Sequence, residues 1–505
     1  MAFENIFLEG IPSYDGGKIM DAIDVGAGLY DDRTPLDSYD TVFHVGDKFT
    51  EEEFKQKILD MKRTHRAHLE TSKEGLVARI CNDMRLIQLR WNDGEIKEVR
   101  FLDPEPKQHE NRSSFIRVIR ETSESEFLAY IEKLIADGFE VIYENKIENN
   151  LFRELVKGEK HVYTYYMANT KTVRVIDDKT SVKITDFGYE CDALEGEKVE
   201  VYQYGHHYGS MRAGFTCDCG MLYIVKLADN SVFIVDGGEY EQSSDVVVND
   251  IMAKLRAMTK TPAGEKIRVA GIFVTHAHDD HMDLISKLVK FHHDELEVER
   301  VIFNFNCREH FALMPETYMM IGRINEFYPN AKYLKAHTGQ QFMLADSLFE
   351  VIQTHEDGIL EVENERFPGF RGFNDTSTVL RIGMGSGKTF VILGDVDDDA
   401  EMMMLKHYSP EYLKSDVVQV AHHLINLLKY LYDAMKPSIA LIPQDSDERE
   451  KEVNPELEAV RRNVKEEDIY FAYDGTDGFR VENGEIVRFY HEEKVGDGVY
   501  DGSEI

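Results

Sequence analysis

Ten consecutive residues, Val274 to Asp283 ("VTHAHDDHMD"), hold three histidines and three acids directly behind the apolar run "VAGIFV". Imidazole and carboxylate together form a ligand set for Zn2+, Mn2+ or Fe. His276 and His278 alternate as on an extended segment, so both can face one point. Asp280 and His281 follow where "DLISKLVKF" begins as a helix, and their side chains can reach a second point nearby. A lone histidine at a strand end is more often an ordinary hydrogen-bonded residue. A charged cluster behind six apolar residues is costly to bury without a partner, and the combination points to metal.

Three further apolar runs end in side chains of the same kind. "SVFIVDGG" ends in Asp236, "TFVILGDV" in Asp395, and "DVVQVAHH" in His422 and His423. Each run has the length and β-branched content of a buried strand. In layered α/β folds the C-terminal ends of such strands open onto the ligand crevice. Four pieces of chain are therefore expected to deliver His and Asp to one rim. A two-metal site holds its ions about 3.5–4 Å apart with a bridging ligand, and Asp395 is the natural bridge.

The elements that must position these groups occupy the second part of a long chain. At 505 residues, two to four domains are expected. We expect an N-terminal α+β domain over 1–195, an α/β domain over 196–490 and an acidic, Gly-rich tail over 491–505. In the first region "RLIQLRWNDGEIKEVRF" reads as a hairpin turning at Asn92-Asp93-Gly94. Ser123 and Glu126 form a capping box for a helix whose buried face is Phe127, Ile131, Leu134 and Ile135, stopped by Gly138. "NNLFRELVKG" reads as a second short helix, and "HVYTYYMAN" with "KTVRVIDD" as a strand pair. No cluster of catalytic residue types appears there, so a packing or partner-binding role is expected.

The charge balance, 58 basic against 94 acidic residues, is −36. Such a surface repels phosphate backbones and anionic membranes, so no stable nucleic-acid or membrane partner is expected. A phosphoester handled at a metal is still compatible, because the ion supplies positive charge locally. Five cysteines, at 81, 191, 217, 219 and 307, do not suggest a disulfide framework. The start lacks a signal-peptide pattern and no apolar run reaches about 18 residues, so a cytoplasmic location is expected.

The motifs together resemble the metallo-β-lactamase superfamily over about residues 200–490. "HAHDDH" (His276 to His281) matches the HxHxDH signature, Asp236 the acid before it, Asp395 the bridging acid, and His422 or His423 the late histidine. "NDTSTVLRI", "TFVILGDVDDDAE" and "SDVVQVAHH" are similar, in that order, to the hydrolase domain of DNA-uptake competence proteins. The resemblance implies an αββα sandwich with metals at one edge. It also implies that an acid near the Asn-Ser element replaces the usual third-motif histidine: Asp375 first, Asn374 second, His355 third. The chain departs from these relatives at Met282-Asp283-Leu284 and Leu424-Ile425-Asn426, positions expected beside the metal edge.

The implied activity is a metal-dependent hydrolase that uses a metal-activated hydroxide on a phosphodiester, ester or amide of a small-molecule or phosphoester substrate. Zn2+ is the expected cofactor, as one or two ions, with Mn2+ or Fe as alternatives. His276, His278 and Asp375 are assigned to the first ion. Asp280, His281 and His422 are assigned to the second, with Asp395 between. Asp280 doubles as a catalytic proton carrier. His423 is the alternative to His422 and is otherwise expected to meet substrate as a catalytic residue. Asp236 is expected to orient a ligand histidine from behind. The competing readings are a di-iron oxidoreductase on the same fold, whose relatives carry Glu where His278 stands, and a non-catalytic metal-binding scaffold.

Four further features have simpler explanations. "GMGSGKTF" lacks the first glycine of a P-loop, since Ile382 stands there, and reads as a hairpin turn between strands. Cys217 and Cys219 lack a partner pair at zinc-finger spacing. His206 and His207 read as a surface loop. His292 and His293 close the helix after the cluster and complement its C-terminal dipole.

Overall fold

The fold is that of a computed structural model. It describes residues 10–24, 43–61, 66–72, 75–82, 85–102, 115–178, 182–205, 211–212, 215–216, 221–238, 245–304, 315–359, 374–425, 428–444 and 454–493. The cysteine pair 217/219 and the histidine pair 206/207 lie outside these residues, as does most of the 491–505 tail.

All four apolar runs that lead into candidate ligands are strands: Val232–Val235, Ile267–Phe273, Lys388–Ile392 and Val417–Gln419. The first two pair in parallel, and so do the last two. They belong to two different sheets. One, of nine strands, includes Glu200–Gln203, Tyr223–Lys226 and Thr476–Glu482 beside the first pair; the other, of seven, includes Ser347–Gln353 and Val379–Gly385 beside the second. The sheets pack face to face. Phe233, Val235, Ala270 and Phe273 from one share a buried cluster with Phe349, Val351, Leu380 and Ile392 from the other. Strands covered on both faces show no alternation of burial, which is why they read as continuous apolar runs.

Helices cover the outer faces. Asp245–Thr259, Asp283–His292 and Pro315–Phe327 pack on the nine-stranded sheet. Asp398–His407, Leu431–Met435 and Pro455–Arg461 pack on the other. Met282 and Leu284, expected beside substrate, are instead 0% and 2% exposed in the first of these layers. "GMGSGKTF" is the predicted hairpin turn, with Gly385, Ser386 and Gly387 all at positive φ.

The N-terminal region contributes a four-stranded antiparallel sheet over Arg66–Leu102 and a six-stranded sheet ending at Asp178. The Asn92-Asp93-Gly94 hairpin and the Ser123/Glu126 capping box are present. Phe127, Ile131 and Leu134 are buried as read, but Ile135 is 42% exposed, one step off the stripe. "NNLFRELVKG" is a correction: Asn150–Lys157 is a strand. Its two faces are both covered, so its apolar spacing imitated a helix.

The six-stranded sheet shares a core with the second half of the chain. Phe152, Tyr163, Tyr165 and Ile176 lie in one buried cluster with Val379, Leu393, Val420, Val460 and Phe471. Gly339 sits where the two meet. Its φ is +85°, and a Cβ there would lie 2.1 Å from the Phe152 ring. Its carbonyl accepts from Tyr143 Oη and Asn145 Nδ2. Gly339→Ala is therefore expected to cost about 2–5 kcal/mol, from the left-handed backbone and the overpacked ring, measured by urea unfolding.

Arg174, 0% exposed, reaches across the same junction and donates to the carbonyls of Glu356 and Asp357. Tyr165 Oη donates to Asp357 Oδ1 at 2.9 Å. His337 lies between Asp178 and Glu356, 3.1 and 2.9 Å away, stacked on Tyr163. Arg174, Asp178, Tyr163 and Tyr165 come from the N-terminal sheet, and His337, Glu356 and Asp357 come from the second half of the chain.

Candidate metal centre

Two groups of donors converge at the ends of the four strands. His276, His278 and Asp395 form one; Asp280, His281, Asp395 and His423 form the other, with all ligand atoms in each group within 4.8 Å of one another. Asp395 belongs to both and divides its two oxygens between them. Oδ2 lies 3.8 Å from His276 Nε2, while Oδ1 lies 3.3 Å from His281 Nε2 and 3.7 Å from His423 Nε2. Asp280 Oδ2 closes the second group, 3.3 Å from His423 Nε2 and 3.6 Å from His281 Nε2.

The strands explain the convergence. His276 and His278 follow the end of Ile267–Phe273 through a bend over 275–277, and their rings meet with His276 Nε2 and His278 Nδ1 2.8 Å apart. The chain then turns through a short 3-10 segment, Asp279–His281, which swings Asp280 and His281 to the second group. Asp395 follows Lys388–Ile392 through Gly394, whose φ is +61° and where a Cβ would meet Thr275 at 2.8 Å. The two sheets can approach this closely at the rim only because that position lacks a side chain.

Three of the imidazoles, His276, His281 and His423, are held from behind by their other nitrogen. Asp236 Oδ2 lies 2.7 Å from His281 Nδ1, and its two oxygens also accept from Thr275 N and Oγ1. Thr275 Oγ1 lies 3.1 Å from His276 Nδ1, and the Pro443 carbonyl 2.8 Å from His423 Nδ1. This is how metal-ligating histidines are fixed in tautomer and orientation. The forward Nε2 atoms of His281 and His423 are buried and make no hydrogen bond, although carboxylate oxygens stand 3.3–3.7 Å away. Hydrogen-bonded pairs would close that distance. The donor chemistry and these two outstretched nitrogens fit a divalent cation in the second group, and the first group offers a donor set of the same kind.

The electrostatics agree. Burial lowers His276, and His281 and His278 lower it further, so it is a neutral imidazole. Burial also acts to lower His281, but Asp395, Asp280 and Asp236 outweigh it and hold the ring well above its ordinary range. Three carboxylates around one buried imidazole are a site where positive charge is stabilised, whether a proton or a metal ion supplies it.

Two of the expected ligands lie outside the donor groups. His423, not His422, stands in the second group. His422 lies on the opposite side of Asp395, its Nε2 3.8 Å from Oδ2 and 2.9 Å from Asn374 Nδ2, with 19% of its side chain exposed. The pair separates because His422 and His423 both adopt left-handed backbone, at φ 42° and 51°, turning adjacent rings to different sides. Asp375 is also outside both donor groups. With His355, Gln353 and Asp399 it lines a small cavity beside the helix Asp398–His407. Of the three third-motif candidates, Asn374 alone comes near the centre, through His422. The features that sequence reasoning missed are Thr275 and the Pro443 carbonyl. Thr275 immediately precedes the first histidine, a visible signal; a backbone carbonyl leaves none.

No family model matches the chain, and no curated relative matches it. Among solved structures it is similar to CmlA, a diiron β-hydroxylase from Streptomyces venezuelae, with TM-score 0.30 and 10% identity over 56% of this chain and 54% of that one. It is similar to the short form of human tRNase Z, with TM-score 0.26 and 11% identity over 57% and 98% of the two chains. It is also similar to a long-form RNase Z from yeast, with TM-score 0.29 and 11% identity over 83% and 50%. The chain spans about half the length of the hydroxylase and of the yeast enzyme. Among the described residues, no helix is long and apolar enough to cross a membrane.

Proposed function

We propose that the chain is a metal-dependent hydrolase whose residues 196–490 form a metallo-β-lactamase-like αββα unit, with the metal centre at one edge. One observation carries this reading: a buried carboxylate, Asp395, shares its two oxygens between two sets of His and Asp donors. Divalent ions held there, Zn2+ first, would supply a water ionised near neutral pH and Lewis acidity toward a phosphodiester, ester or amide. His276 and His278 would hold one ion, Asp280, His281 and His423 the other, and Asp395 both.

The chain's own groups set the rest. Asp236 and Thr275 keep the Nε2 lone pairs of His281 and His276 aimed inward. Asp280 retains 13% side-chain exposure, so it can pass a proton to a leaving group while its other neighbours stay dry. His422 and Asn374, together at the rim, are placed to contact substrate. We further propose a small-molecule or phosphoester substrate and a cytoplasmic location, and, on the strength of the acidic charge, no stable nucleic-acid or membrane partner.

The test is metal analysis together with a panel of chromogenic phosphodiester, ester and amide substrates under several divalent metals. Wild-type protein is expected to hold zinc or manganese and turn over one class. His278→Ala is expected to lose metal from the first group and all turnover. His422→Ala is expected to keep its metal and lose about 10- to 100-fold in kcat, the scale of one positioned polar contact. Bound iron with no hydrolysis would move the reading to an oxidoreductase. Unchanged turnover in His278→Ala would remove the catalytic assignment.

A further inference from the structure

Three consecutive non-glycine residues, His422, His423 and Leu424, occupy left-handed backbone at φ 42°, 51° and 62°. L-residues avoid this region, and runs of it persist only where the surroundings over-determine them. The holding contacts are specific. His422 N donates to the Gly394 carbonyl at 3.1 Å, next to Asp395. Gln444 Nε2 donates to the His423 carbonyl at 3.2 Å, and Asn454 Nδ2 to the Leu424 carbonyl at 2.9 Å. Farther along, the buried carboxylate of Glu401 accepts three successive backbone N–H groups, from Lys429, Tyr430 and Leu431.

Asn454 has two separate tasks. Its Oδ1 caps the helix Pro455–Arg461 by accepting from Glu456 N and Leu457 N at 3.0 and 3.1 Å. Its Nδ2 reaches back to the left-handed turn. Ordinary backbone at His423 would turn its ring away from Asp280 and Asp395, since the side chain follows the backbone dihedral. The amide ends of Asn454 and Gln444 are what the outer helix layer and the following strand contribute to that turn.

We propose that Asn454 and Gln444 are positioning residues that hold the left-handed turn and thereby select His423, rather than His422, for the second half of the metal centre. This rests on the metal reading above. Each acts through a backbone carbonyl.

The two tasks of Asn454 separate by substitution. Asn454→Asp keeps the oxygen that caps the helix and removes the N–H that reaches Leu424. Gln444→Glu likewise removes the donor to His423. Full-length wild type, Asn454→Asp, Gln444→Glu and Asn454→Ala are titrated with Zn2+ and with Mn2+ against a competing chelator, and thermal unfolding is recorded without metal. Wild type is expected to bind two equivalents. Asn454→Asp and Gln444→Glu are expected to weaken one equivalent by about 10- to 100-fold and leave the other unchanged, with Asn454→Asp unfolding near the wild-type temperature. Asn454→Ala, which loses the cap as well, is expected to weaken the same equivalent and also unfold earlier. Equal weakening of both equivalents, or wild-type affinity in both carboxylate variants, would overturn the proposal while leaving the metal reading intact. Wild-type protein that takes up no divalent metal would remove that reading, and the proposal with it.

Discussion

Asp395→Asn is expected to empty both halves of the metal centre at once and abolish hydrolysis. The substitution conserves volume and shape. It replaces one carboxylate oxygen with an amide NH2, which cannot be a ligand. Because Oδ1 and Oδ2 face different donor groups, whichever way the amide turns it presents a donor to one group and a weakened, uncharged acceptor to the other. Removing an outer partner of a ligand costs about 10- to 100-fold in metal affinity, so loss of a shared ligand is expected to exceed about 100-fold for each ion. Metal analysis after dialysis is the check. His278→Ala and His423→Ala give the contrast, since each belongs to one group and should lose one ion. An Asp395→Asn protein that kept one ion at full affinity would show that the carboxylate does not bridge.

The second large effect concerns the charged junction between the N-terminal sheet and the rest. His337 is fully buried, so desolvation acts to lower it, but Glu356 and Asp178 outweigh this and raise it to about 9 from 6.5. A raised folded-state value means its stabilisation is complete below about pH 6.5 and disappears as pH rises through about 9. The difference corresponds to a contribution on the order of 3 kcal/mol. His355 and His407, lowered by burial to about 4 and about 3, are already neutral in this window and add nothing to the alkaline limb. His161, raised by Glu154 and Asp178 against its burial, acts in the same direction as His337. Toward acid, Glu356, held at about 2 mainly by His337 against burial, loses its contribution as pH falls from about 4.5 through 2. Asp357, pushed up to about 6 by burial, opposes it. Urea unfolding between pH 6.5 and 9.5 should therefore show falling stability in the wild type. His337→Gln should show a shallower slope from a start about 3–5 kcal/mol lower at pH 7, because Asp178 and Glu356 lose the charge between them. Parallel slopes would exclude a charged His337.

Much of the candidate donor cluster was legible in the sequence because a strand buried on both faces must be apolar throughout. A carboxylate or imidazole at its end therefore stands out, as with Asp236, His276 and Asp395. The choice between His422 and His423 was not legible. It depends on three left-handed residues held by Gln444 and Asn454, which lie 20 to 30 positions away and carry no pattern of their own. Asp375 was placed by analogy with an Asn-Ser element. In the structure the neighbouring Asn374 faces His422, and one step along a tight turn reverses the side chain's direction. The strand Asn150–Lys157 was read as a helix because Leu151, Leu155 and Val156 satisfy helical spacing. Only its partners, Glu140–Ile147 and Lys160–Met167, decide the matter. The junction around His337 was equally hidden, since its charges lie on segments that look unremarkable apart.

The common core of the N-terminal sheet and the C-terminal elements has a consequence during synthesis. Phe152, Tyr163, Tyr165 and Ile176 leave the ribosome early, whereas Val460 and Phe471, which help cover them, come about 300 residues later. At about 5–20 residues per second, that apolar face waits roughly 15–60 s for its cover. Nascent chains thus carry this apolar face without the last part of its cover for that interval.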